Sequence, residues 1–197
     1  MKFFSKNHLS EIVCKGLVYK KSNPKNNAII RSILIQEQFN FCAYTEKYFK
    51  DLDSVVVEHF DSSKKYQDDY YNYYAVLSKP NLYKKDEKYR NNRFFETKFY
   101  QNSEELNNRI QYIKCEFIFE AKDENDQEAI DFIAFLGLNH PSLYNQRKKH
   151  LDRLYDIFEN FDATFYLTYF KKHPEELSFI TVIENEMNLN LDSFHTL

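Results

Sequence analysis

Two glycines in 197 residues, Gly16 and Gly137, restrict this chain more than any other feature. Glycine turns the backbone through left-handed conformations without steric cost and lets a phosphate approach the main chain closely. With only two, no GxGxxG or GxxxxGK loop is built, and neither glycine sits in such a pattern. Nucleotide-binding folds marked by those loops are excluded by motif, so any ATP dependence must come from a partner. The cysteines narrow the field further. Cys14, Cys42 and Cys115 are widely spaced and odd in number, which excludes a disulfide framework and any four-cysteine zinc site. All three are expected to be buried as small hydrophobes.

The chain has 43% hydrophobic and 18% aromatic residues, enough for one domain with a substantial core. A net charge of -3 excludes bulk polyanion binding, so any nucleic-acid contact must come from a local patch. Mean hydropathy is -0.69, and no apolar run approaches the length of a membrane span. The first residues carry no sustained apolar stretch, so no signal peptide is expected, and free cysteines make the cytoplasm the expected compartment.

Local signals predict an α+β fold in a single domain. Asn23-Pro24 opens a helix over about 24–39, with Ile29, Ile30, Ile33 and Leu34 near one face. Residues 41–49 alternate like a hairpin arm, Asp51 to Asp53 turn, and Ser54-Val55-Val56-Val57 is the most strand-like run, ending at Glu58-His59-Phe60. A polar loop over 61–69 follows, and apolar character resumes from Tyr71 to Leu77. Residues 79–98 are basic and aromatic, with seven Lys/Arg against three acids. Ser103-Glu104-Glu105 predicts a short helix, and 112–119 a strand. An amphipathic helix over 125–136 closes at Gly137, and Asn139-His140-Pro141 opens a longer one to about 161. Asp162 and Pro174 each open a further helix, so the C-terminal half is mostly helical.

Chemistry concentrates after the valine run. Glu58 and His59 place a carboxylate and an imidazole side by side at a strand end, where neighbours face opposite ways and so can take different tasks. Asn72 lies thirteen residues after His59, Asn81 nine further on, and Lys84 just beyond. This order resembles the HNH (ββα-metal) nuclease motif: an acid and His at a strand end, an Asn after a loop, then a helix bearing a final His or Asn. The preceding Cys42-Ala43-Tyr44-Thr45-Glu46 resembles the CxYCE element of one HNH subfamily. That subfamily includes the nuclease partner of an ATPase in Septu-type and retron-associated antiphage defence systems. Leu136-Gly137-Leu138-Asn139, with Leu143 and Arg147, resembles its C-terminal element. The resemblance covers roughly residues 30–90 and 125–155.

The resemblance implies a small ββα-metal core with an N-terminal helix within 1–100, and a helical region over 101–197 packed on it. It implies a metal-dependent endonuclease, DNA favoured, acting as effector with an ATPase partner. His59 is then the general base, for which an ordinary imidazole pKa of about 6.5 is suited. Glu58 and Asn81 would ligate one Mg²⁺ or Mn²⁺ through hard oxygen donors, and Asn72 would hold the loop and orient His59. Lys79, Lys84, Lys85, Lys88, Arg90 and Arg93 would meet phosphates. The subfamily's structural zinc is not expected here: its corners fall at Cys42, Thr45, Leu77 and Pro80, and only the first is a ligand. Two alternatives stay open, a catalytically silent HNH-derived binding or scaffold subunit and an RNA (tRNA) nuclease.

Overall fold

The computed structural model describes residues 2, 6–65, 69–159, 161, 163–191 and 194. A short helix, α1 (Glu11–Cys14), is capped by the Ser10 hydroxyl. Asn23 caps α2 (Pro24–Glu37), its side chain accepting from the Asn26 N–H, and Pro24 supplies the pre-set first turn. α2 buries Ile30, Ile33 and Leu34. Phe39 and Asn40 take positive φ and reverse the chain. A tight arm then closes on one Phe41–Tyr48 bridge. Gln38 stitches this corner to the sheet: its amide donates to the Phe41 and Ala75 carbonyls and accepts from the Ala75 N–H, each at 2.8 Å.

β1 (Val55–His59) pairs antiparallel with β2 (Tyr73–Leu77), in register from Val55 opposite Leu77 to His59 opposite Tyr73. α3 (Ser78–Asn81) follows β2 without a connecting residue. The basic stretch folds into α4 (Asp86–Tyr89) and α5 (Phe94–Thr97). α6 (Ser103–Arg109) is capped by Asn102 rather than Ser103, because Asn102 has the extended backbone a cap needs and its side chain accepts from the Glu105 N–H.

The strand expected over 112–119 is a hairpin instead. β3 (Ile110–Ile113) pairs with β4 (Ile118–Ala121). The turn between them uses Cys115 at φ 66 and Phe117 at φ 57 in left-handed conformations, without glycine or proline to mark it. α7 (Gln127–Leu136), capped by Asp126, and α8 (Pro141–Phe158), capped by His140, agree with their sequence signals. α9 spans Ala163–Lys172; the expected cap Asp162 lies outside the described residues. Pro174 opens a 3-10 turn, and α10 starts only at Ile180, after Phe179 turns the chain at φ 63. Cys42 is buried, but Cys14 and Cys115 are exposed, against expectation, because Cys14 ends the short surface helix α1 and Cys115 sits on the β3–β4 turn. Among the described residues no helix is long and apolar enough to cross a membrane.

The two small sheets and most helices share one main core, with a smaller cluster of Phe117, Leu151, Phe179 and Val182 beside it. Phe94, Phe95, Phe99, Tyr100, Phe132 and Phe135 pack with Phe60 from the end of β1. Each buried ring contributes about 2–3 kcal/mol of apolar transfer. Three polar side chains brace this assembly. Glu46, buried, accepts from the Thr181 N–H and hydroxyl at 2.7 Å each, holding the start of α10. Asn139 pairs with both main-chain groups of Phe119 at 2.8 Å. Arg147 donates to the Phe117 carbonyl at 3.1 Å and lies over the Phe119 ring; burial lowers its pKa to about 10.

Gly137 is the glycine the fold requires. Its φ is 62, and a Cβ there would stand 2.8 Å from both Cβ and O of Tyr83. Gly137→Ala is expected to lose about 1–3 kcal/mol in urea denaturation; a midpoint unchanged from wild type would contradict this close approach. His150 gives a pH dependence. Burial, then Arg153, Lys50 and Lys47, lowers its pKa to about 4, while its Nε2 sits 3.0 Å from the Glu176 carbonyl. The unfolded imidazole takes a proton at about pH 6.5, so the stabilisation is whole above that pH and is lost as pH falls towards 4. Wild type is expected to lose on the order of 1–2 kcal/mol between pH 7 and pH 5 that His150→Gln does not lose, read from urea midpoints at the two pH values.

Candidate active site

The alternation of β1 decides what its end presents. Glu58 stands opposite Tyr74 and His59 opposite Tyr73, so the two side chains leave opposite faces of the hairpin. On the Glu58 face, α3 returns the chain directly from β2 and brings its last residue, Asn81, over the carboxylate. Asn81 Nδ2 donates to Glu58 Oε2 at 3.0 Å. Lys84 Nζ donates to Glu58 Oε1 at 2.7 Å and to the His59 carbonyl at 2.9 Å, and is ion-paired with Asp86 Oδ1 at 2.8 Å. The Lys84 side chain is only 1% exposed. An ammonium so enclosed needs these partners, because an unpaired buried charge costs several kcal/mol.

On this face, among the described residues, Asp86 Oδ1 makes no hydrogen bond, although it is ion-paired with Lys84, and two further polar atoms lack either kind of partner. Asn81 Oδ1 is buried without a hydrogen-bond partner among the described residues, and so is the Tyr44 hydroxyl. Tyr44 is 1% exposed; burial, and then the charges of Glu58 and Asp86, push its phenol well above its ordinary pKa. On the opposite face, His59 is 5% exposed. Its ring lies edge-on to Tyr73 at 5.0 Å and Tyr19 at 5.4 Å.

Asn72 acts at the strand end. Its Oδ1 accepts from the Asp61 N–H at 2.7 Å, its Nδ2 donates to the Asp61 carbonyl at 2.9 Å, and its own carbonyl accepts from the Phe60 N–H at 2.8 Å. The two residues after His59 are therefore clamped to the residue before β2.

The expected phosphate contacts divide. Lys79, Lys85, Lys88, Arg90 and Arg93 are exposed. Arg90 also pairs with Glu87 at 3.3 Å. Lys84 does not belong with them, because Glu58 and Asp86 draw it inward. Tyr83 stacks on His140 at 3.7 Å. With Lys85 these rings wall a groove of about 660 Å³ floored by Ile130, Ile133 and Ala134. Cys42 Sγ accepts from the Leu77 N–H at 3.4 Å, with Thr45 and Pro80 also buried.

Asp86 is the site residue that sequence reasoning missed. Its signal was faint: an acid two residues beyond Lys84 that also opens α4. Among the described residues, no group of three or more His, Cys, Asp or Glu side chains is arranged to hold a metal ion. The donors present are mixed carboxylate and amide oxygens, which suit a hard cation. A buried, unpartnered amide oxygen beside a carboxylate already facing a positive charge fits such an ion. No protein-family model, curated protein or solved structure matches this chain.

Asn72→Ala leaves the Asp61 N–H and carbonyl without their buried partners. A loss of about 2–4 kcal/mol in urea denaturation is expected, and a loss below about 0.5 kcal/mol would show that water replaces the clamp.

Proposed function

We propose that this chain is a metal-dependent HNH endonuclease that hydrolyses phosphodiester bonds of nucleic acid, DNA before RNA, as the effector subunit of a defence complex with an ATPase. The observation that carries this is the 3.0 Å contact between Asn81 and Glu58, which joins the helix and strand of a hairpin-helix unit at the two residues the motif assigns to the metal. The Asn72 clamp and the contact of Cys42 with Leu77 add support, since the first holds the strand end and the second joins two residues that the resemblance aligns.

A bound Mg²⁺ or Mn²⁺ would supply Lewis-acid stabilisation of the charge that develops on the phosphoryl group. Glu58 and Asn81 would hold it through their oxygens, the Asn81 amide turning to offer Oδ1 in place of the Nδ2 that faces Glu58. His59 would accept the proton of the attacking water. Asn72 fixes residues 60 and 61 and so positions the end of β1. Lys79, Lys85, Lys88, Arg90 and Arg93 would neutralise backbone phosphates from the solvent side.

One observation favours a second reading, a catalytically silent HNH-derived binding subunit. The imidazole of His59 is enclosed by Tyr19 and Tyr73 on the face away from Glu58, and a base so placed must turn to reach the water. Supercoiled plasmid and unstructured RNA, each with Mg²⁺ or Mn²⁺, separate the possibilities. The nuclease is expected to nick DNA, with His59→Ala and Glu58→Gln each slower by about 100-fold or more. Equal cleavage by His59→Ala and wild type removes His59 as the base. Cleavage of RNA alone moves the substrate. No cleavage of either by the complete ATPase complex leaves the silent subunit.

A further inference from the structure

The Lys84 ammonium occupies the centre of the candidate site. It donates to Glu58 at 2.7 Å and to the His59 carbonyl at 2.9 Å, and is ion-paired with Asp86 at 2.8 Å, whose Oδ1 makes no hydrogen bond among the described residues. The two carboxylates it faces have further oxygens near them: Asn81 contacts Glu58, and the charges of Glu58 and Asp86 act on the Tyr44 phenol. Asn81 Oδ1 and the Tyr44 hydroxyl are buried and unpartnered among the described residues. A lysine needed only as a structural tie would not account for either. Two carboxylates, an amide oxygen and a buried phenol form a donor set richer than one ammonium satisfies.

Charge decides how a second cation enters. Glu58, Asp86 and Lys84 together carry one net negative charge. A divalent ion added beside the ammonium would leave like charges in contact at low local dielectric. An ion that replaces the ammonium leaves the seat neutral. The geometry is close to what is needed. The carboxylate oxygens stand 2.7 and 2.8 Å from Nζ, and each must close by roughly 0.7 Å to reach a Mg²⁺ bond length. Lysine suits such exchange, since its charge sits at the end of four flexible carbons.

We propose that Lys84 is an intramolecular counter-ion that holds the cation seat closed, and that a divalent cation binds by exchanging with its ammonium and takes Asp86 as a third oxygen ligand beside Glu58 and Asn81. This deepens the nuclease reading and rests on it for the role of the cation. Lys84 is thereby a gate on metal loading, and Asp86 a ligand outside the Glu58–Asn81 pair.

The test is metal binding without nucleic acid. Mn²⁺ is titrated by electron paramagnetic resonance, and Tm is measured in EDTA and in Mn²⁺. Wild type is expected to bind Mn²⁺ weakly, with little change in Tm. Lys84→Met is expected to bind at least tenfold tighter, to melt lower than wild type in EDTA, and to recover that loss in Mn²⁺. Asp86→Asn added to Lys84→Met is expected to abolish the gain. Lys84→Gln, which keeps an uncharged donor on a side chain one bond shorter, carries the same comparison if Lys84→Met does not fold. Mn²⁺ affinity equal to or weaker than wild type in the folded variant overturns the exchange, as does a gain that survives Asp86→Asn. Tighter Mn²⁺ binding with no cleavage fails the nuclease reading alone. Cleavage with unchanged Mn²⁺ affinity fails the exchange alone.

Discussion

Phe60 packs against the rings of Tyr44, Tyr74, Phe95, Tyr100, Phe132 and Phe135, drawn from the 41–48 arm, β2, α5, the turn after it, and α7. Several of these elements are a single helical turn or one short strand, too short to persist alone. They hold position because large flat side chains meet at one point and exclude water over a wide area. Phe60 follows Glu58 and His59 directly. The aromatic junction that stabilises the fold therefore also fixes the end of β1, where the candidate chemistry lies.

Fixing β1 this way has an electrostatic consequence. The core covers the Glu58 face, so any charge there is desolvated and must find partners within the protein. Lys84 and Asn81 provide them, and Asp86 joins through the same ammonium. Tyr44, which packs on Phe60, is buried close enough for the charges of Glu58 and Asp86 to act on its phenol. Apolar packing and the polar cluster are thus one arrangement: the rings that exclude water also strengthen each contact among the charges they enclose.

The parts of this fold that were legible in sequence are those fixed by local chemistry. Asn23-Pro24 and Gly137 act on the residues beside them, and the valine run needs only a partner strand. The missed β3–β4 turn is of another kind. Cys115 and Phe117 adopt left-handed φ although neither residue favours it, and the cost is borne by Arg147 and Asn139 gripping Phe117 and Phe119 from twenty to thirty residues away. Lys84 is similar. In the run KPNLYKKDEKYR every lysine looks solvated, and nothing local distinguishes Lys84 from Lys85. The choice is made by Glu58, which lies 26 positions earlier in the chain.

Of the motif residues, Glu58, Asn72 and Asn81 drew their meaning from order and spacing, and the fold places each at the hairpin or the helix that follows it. His59 differs because a strand that stays regular to its last residue must alternate. β1 stays regular through His59, so the imidazole packs on Tyr73 and Tyr19, on the face away from Glu58. Two contacts hold the strand end in that form, the clamp of Asn72 on Asp61 and the bond from Lys84 to the His59 carbonyl. Lys84 therefore ties the two faces of the hairpin together: one ammonium faces the Glu58 carboxylate and also fixes the main chain of the residue whose ring lies on the other side.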